Sequence, residues 1–141
     1  MAETNAIVRD IEAAYHHYIE VFNREDATAF VACYAHPHVM LSGEQGLTSV
    51  ETEADHHRVY QTIMAGLRAS EWGRSDIDRL QVFPYAASLA QIVADVTRYK
   101  QDGSVLEKLR ATYMYRRDGE SWKIVSLALV EAPFSGPGQG R

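Results

Sequence analysis

The sequence predicts a single α+β domain, with helices in its first half and a mostly antiparallel sheet in its second. Three observations carry that reading. Over about residues 4–35 and again over 48–71, apolar residues recur every three to four positions, the period of a helix with one buried face. After Trp72-Gly73 the chain changes to strand-like runs with period two. Asp102-Gly103 and Asp118-Gly119 each stand between two such runs, where glycine tolerates the positive φ of a tight hairpin turn.

The first helix is expected over about residues 4–23, with Ile7, Ile11, Ala14, Tyr15, Tyr18 and Phe22 on its apolar face. Asn23-Arg-Glu-Asp26 breaks that pattern, and Asp26 is placed to cap a second helix that runs to about Ala35 and buries Phe30 and Tyr34. Pro37 forbids helical continuation and biases His36 toward extended backbone. Val39, Met40 and Leu41 then fit a short strand, and Gly43-Glu-Gln-Gly46 a turn. Thr48-Ser-Val-Glu51 has capping-box spacing and predicts a third helix to about Glu71. Its inner stripe is His56 or His57, then Tyr60, Ile63, Met64 and Leu67. Four strands follow, over about residues 76–85, 88–100, 104–117 and 122–131. The domain is read as residues 1–134, and the turn-forming run 135–141 as a mobile tail.

The Asp102-Gly103 turn fixes a register. If Gln101 faces Ser104, then Tyr99 pairs with Leu106, Thr97 with Lys108, Asp95 with Arg110 and Val93 with Thr112. The other face pairs Arg98 with Glu107, Val96 with Leu109, Ala94 with Ala111 and Ile92 with Tyr113. Opposite charges meet twice in this register, which supports it. The face carrying Ile92, Ala94 and Tyr113 is the more apolar and is assigned to the core. Asp95 and Arg110 then form a salt bridge on the outer face, worth well under ~1 kcal/mol if exposed.

Composition excludes several classes. The 141 residues suffice for one sizeable core, and 46% hydrophobic with 23% charged residues is ordinary for a soluble domain. The net charge is −5 and no basic run exceeds Arg116-Arg117, which argues against nucleic acid as a partner. Cys33, the single cysteine, cannot form an intrachain disulfide, so a reducing compartment is the default, and its apolar helical surroundings suggest a small buried thiol. The segment Met1-Ala-Glu-Thr-Asn5 has no positive n-region and no apolar run approaches ~20 residues, so the expectation is a cytoplasmic protein with no membrane partner.

Two stretches carry a family resemblance. Tyr113-Met-Tyr-Arg-Arg-Asp-Gly-Glu-Ser-Trp-Lys-Ile-Val-Ser126 resembles the closing hairpin of the nuclear transport factor 2-like superfamily. Tyr18-Ile-Glu-Val-Phe-Asn-Arg-Glu-Asp26 is similar to the first-helix exit of ketosteroid isomerases and SnoaL-like polyketide cyclases. The order of elements fits over residues 7–131. What the resemblance implies is a cone-shaped α+β fold, three N-terminal helices packed on a strongly curved sheet. An apolar cavity inside the cone and a homodimer through the outer sheet face are implied with it.

The superfamily's chemistry varies too widely for fold to assign a reaction. By resemblance, Tyr18 occupies the oxyanion-hole position of the isomerases and the second donor falls near Tyr113. Their catalytic aspartate, however, falls on Ser42, and a serine without a partner base cannot accept a proton from a carbon acid. The remaining candidates for a base are His57 (or His56) on the third helix and Glu131 at the end of the last strand. Glu131 would become basic only if desolvated.

Leu127 and Leu129 stand where many relatives carry inward histidines, which makes the cavity floor apolar. With Tyr18, Met40, Tyr60 and Tyr113 they form the expected ligand lining, joined by Tyr34, Ser42, Ile92 and Ala94. The six histidines come in three close pairs, and His36 with His38 share one side of an extended segment and reach toward the third helix. No Asp or Glu stands at a ligand spacing, so neither a metal nor a cofactor is expected.

Three functions remain open at this point. The first is a small-molecule-binding protein holding an apolar or aromatic ligand. The second is a lyase or isomerase working by general acid/base catalysis. The third is a dimeric adaptor or assembly module whose cone is filled.

Overall fold

The computed structural model describes residues 2–43 and 46–132. Helix α1 (Ala2–Asn23) turns Ile7, Ile11, Tyr15, Tyr18 and Phe22 into the core, as its periodicity requires. Asn23 then ties the helix end to the sheet. Its Nδ2 donates to Ser75 O and its Oδ1 accepts from Ser75 N, both at 2.8 Å, so the side chain bonds as a neighbouring strand would. Asp26 caps α2 (Ala27–Ala32) by accepting from Ala29 N at 3.0 Å. Asp26→Ala is expected to lower stability by about 1 kcal/mol in urea unfolding, whereas Asp26→Asn retains most of it. An alanine variant with an unchanged midpoint would show that the cap is idle.

The second helix stops at Ala32, short of the expected Ala35. Strand β1 (Tyr34–Ser42) takes over there, because Tyr34 already pairs with Ile124 and Cys33 O accepts from Ile124 N at 3.0 Å. A larger difference follows. Gly46–Val50, read as a turn and a helix cap, is strand β2, with Leu47 opposite Leu41 and Thr48 opposite Met40. The Thr48–Glu51 capping box does not form, and Glu51 instead accepts from Ser49 Oγ at 2.8 Å. Thr52 caps α3 (Glu53–Ala69), accepting from Asp55 N at 3.1 Å. Pairing with β1 satisfies a whole row of backbone groups, which outweighs one reciprocal cap.

Strands β3 (Trp72–Ala86), β4 (Leu89–Lys100), β5 (Val105–Asp118) and β6 (Ser121–Glu131) complete a sheet ordered β2-β1-β6-β5-β4-β3. Every pairing is antiparallel except β1 with β6. β3 starts at Trp72, whose indole packs 5.3 Å from Phe22 and donates to Ser75 Oγ. At Gly73 a Cβ would lie 3.0 Å from Gln101 Cα, so glycine admits the close approach of the two strands.

The β4–β5 register is the expected one from Ile92 opposite Tyr113 through Arg98 opposite Glu107, and a bulge then sets Tyr99 opposite Val105 instead of Leu106. The inner face is also as expected, with Ile92, Ala94, Val96, Leu109, Ala111 and Tyr113 all buried. The Asp95–Arg110 pair needs correcting. It is not an exposed bridge: the Arg110 side chain is 8% exposed and grips both carboxylate oxygens, at 2.7 and 3.0 Å. A forked, charge-assisted pair shielded from solvent in this way is stronger than an exposed surface ion pair.

Among the described residues no helix is long and apolar enough to cross a membrane. The expected tail at residues 135–141 and the centre of the Gly43–Gly46 turn lie outside the described residues.

Candidate functional site

Helices α1, α2 and α3 close over the concave inner face of the sheet, and between them lies a cavity of about 230 Å³. Of the residues singled out in the sequence, Tyr18, Tyr34, Met40, Tyr113, Leu127 and Leu129 line it. Phe30, Val59, Ile63, Val96, Leu109 and Ala111 make the rest of its wall mostly apolar. Ile92 and Ala94 are buried in the core but do not line it, and neither does Tyr60, whose ring packs 4.9 Å from Phe30. Ser42 is exposed at the end of β1, and Glu131 is exposed at the end of β6. On α3 the inward histidine is His56, whereas His57 is half-buried and outside the lining.

The cavity's polar centre is a set of tyrosine hydroxyls. Tyr18 Oη and Tyr34 Oη are 2.6 Å apart, and Tyr113 Oη donates to Tyr18 Oη at 3.3 Å. Two hydrogen bonds among three hydroxyls use two of three hydrogens and leave one O–H to donate. The rings reinforce one another, with Tyr18 meeting both Tyr34 and Tyr113 edge-on at 5.7 and 5.4 Å. Burial pushes all three phenols above their ordinary pKa, and the neighbouring Tyr113 raises Tyr18 further. They are therefore neutral donors at physiological pH. Arg98 brings a charge to the wall, held by Glu107 at 2.8 Å.

Next to the tyrosines stands a cluster whose members come from two elements. His36 and His38 project from β1 toward His56 on α3, with ring centroids 4.5–5.3 Å apart. His36 Nε2 and His56 Nδ1 share a hydrogen bond of 2.8 Å, and His38 Nδ1 lies 2.9 Å from Ala35 O. Burial lowers all three imidazole pKa values, that of His56 to about 3, so the rings are neutral near pH 7. The sequence showed His36 and His38 on one side of an extended segment. It could not show His56 meeting them, since no spacing rule links a strand to a helix beyond an intervening hairpin.

A second recess of about 370 Å³ lies between α1, α2 and the β5–β6 hairpin, lined by His17, Cys33, Tyr115, Trp122 and Lys123 among others. Cys33 is half-buried there, bonds Ala29 O at 3.3 Å, and has its thiol pushed up to about 11 by burial, which makes it a poor nucleophile.

This geometry, helices capping a curved sheet with a cavity between them, matches a known family. Residues 9–132 fit the DUF6841 family, described as NTF2-like proteins. The chain belongs to this NTF2-like family. Solved structures agree with the NTF2-like assignment. An NTF2-like protein of unknown function from Pseudomonas putida is similar at a TM-score of 0.74 and 19% identity, over 96% of this chain and 93% of that one. A ketosteroid isomerase-like protein from Erwinia carotovora is similar at 0.66 and 20%, over 88% and 95%. A hexachlorocyclohexane dehydrochlorinase from Novosphingobium barchaimii is similar at 0.72 and 12%, over 98% and 95%. At such identities the NTF2-like fold is what these structures share with the chain. No curated protein matches the sequence.

Proposed function

We propose that this NTF2-like protein binds a small, ring-containing apolar molecule in the cone, with one acceptor atom of the ligand taking the spare tyrosine hydrogen. The observation that carries the reading is the Tyr18–Tyr34–Tyr113 hydroxyl chain set in a mostly apolar wall. Apolar walls supply affinity, and a few converging polar groups supply orientation. The volume bounds the ligand. An apolar cavity of about 150 Å³ takes a benzene ring, and drug-sized pockets begin near 300 Å³. About 230 Å³ therefore suits one substituted ring or a small fused pair. The fold is shared with a dehydrochlorinase and an isomerase-like protein, but the reaction is left unassigned, because His57 and Glu131, the bases named from sequence, do not line this cavity. The proposal extends to a cytoplasmic homodimer through the outer sheet face, where Thr112 and Met114 are half-buried. Native mass spectrometry checks the dimer.

Binding is tested by screening monocyclic aromatic ketones and phenols for thermal stabilisation and by titrating the best. Tyr18→Phe is expected to weaken that ligand about tenfold, one hydrogen bond's worth. Ala111→Leu, which fills the cavity from its wall, is expected to abolish binding while the protein stays folded. A ligand bound equally well by both variants would place the site elsewhere.

A further inference from the structure

We propose that His36, His38 and His56 form a binding site for a divalent transition-metal ion, zinc in particular, supplied by two elements, β1 and α3. Their candidate ligand nitrogens all lie within 4.8 Å of one another. Tetrahedral zinc, with bonds of 2.0–2.1 Å, needs its nitrogens about 3.3 Å apart, which small side-chain rotations provide.

The observation that separates this cluster from ordinary packed histidines is the state of His38. Its Nδ1 faces Ala35 O, and a carbonyl only accepts, so Nδ1 carries the hydrogen. Nε2 is then a bare lone pair. It is buried without a hydrogen-bond partner, on a side chain only 2% exposed, beside two other imidazoles. A backbone carbonyl fixing the distal nitrogen is how proteins orient metal-binding histidines. His36 Nε2 and His56 Nδ1 already oppose each other at 2.8 Å with one hydrogen between them. When the donor ring takes its other tautomer, both nitrogens present lone pairs to the ion and no net proton is lost.

Three neutral imidazoles select zinc and its first-row neighbours over calcium or magnesium, which prefer oxygen. His36, the least buried of the three, gives the ion a way in. Three protein ligands leave a fourth position for water or a ligand atom. His56 also lines the cavity, so the metal site adjoins the same interior. The metal site stands apart from the tyrosine reading, because metal uptake is measured without any organic ligand.

The test uses the full chain, stripped with a chelator and titrated with Zn²⁺ against a chromophoric competitor, then with Co²⁺ in a spectrometer. One Zn²⁺ per chain and the intense visible bands of tetrahedral Co²⁺ are expected. His36→Asn is chosen because His36 is the least buried of the three and its replacement disturbs packing least, and it should cost about 100-fold in Zn²⁺ affinity. Replacing the exposed pair His16 and His17 by Asn should cost nothing. Absence of stoichiometric uptake, the weak pink spectrum of octahedral Co²⁺, or undiminished affinity in His36→Asn would each overturn the site. The wild-type Co²⁺ spectrum decides the matter even if the variant misfolds.

Discussion

Phe30→Ala is expected to unfold about 9–15 °C below the parent protein. Phe30 sits on the six-residue helix α2, and its ring lies 4.9–5.8 Å from the rings of Tyr18, Phe22, Tyr34, His56 and Tyr60. These neighbours come from α1, β1 and α3, so one side chain joins three elements. At 2% exposure its truncation removes a full aromatic transfer energy and opens a void that the cavity beside it enlarges. Phe→Ala in such a setting costs about 3–5 kcal/mol, which at roughly 3 °C per kcal/mol gives the stated shift. Phe30→Leu keeps most of the volume and should recover more than half of the loss. A calorimetric midpoint for Phe30→Ala within about 3 °C of the parent would show that the cluster does not bear on stability as argued.

The second large effect is acid sensitivity of the metal-free protein. His56 has an ordinary pKa of 6.5 in the unfolded chain and about 3 when folded, because burial and the facing His38 and His36 disfavour its charged form. Between those values the unfolded chain binds the extra proton, so stability is complete above pH 6.5 and falls as the pH drops toward 3. At pH 4 the loss from this one ring is about 3 kcal/mol, with His36 and His38 adding in the same direction. Urea unfolding from pH 7 to 4, in the presence of a chelator, measures it. Carboxylates also titrate near pH 4, so the comparison is with His56→Phe, whose midpoint should fall much less over that range. Parallel pH profiles for the two proteins would refute the assignment.

How far the fold was legible depended on where its constraints are written. The β4–β5 register could be read because Asp102-Gly103 pins the turn and two charge pairs check it, and the structure departs only at the bulge after Arg98. Strand β2 could not be read. Its five residues are exposed except Val50, so no alternation marks them, and Thr48 with Glu51 imitates a helix cap. Only the pairing partner β1 identifies the segment. The site divides in the same way. Inward positions on regular elements, such as Tyr18, Tyr113, Leu127 and Leu129, follow from periodicity and from the family resemblance. The choice of His56 over His57 does not, since adjacent helix residues differ by about 100° and both flank the same stripe. The histidine trio exists only after β1 and α3 are packed together.

The parallel seating of β1 beside β6 has a consequence for biogenesis. Tyr34 must wait for Ile124, and at 5–20 residues per second the ribosome takes on the order of 5–20 s to supply the intervening chain. Until then the β1–β2 hairpin has an open edge and nothing to add itself to. The nascent first half is therefore the aggregation-prone phase of this protein's life, and β6, once synthesised, both joins the two parts of the sheet and shuts that edge.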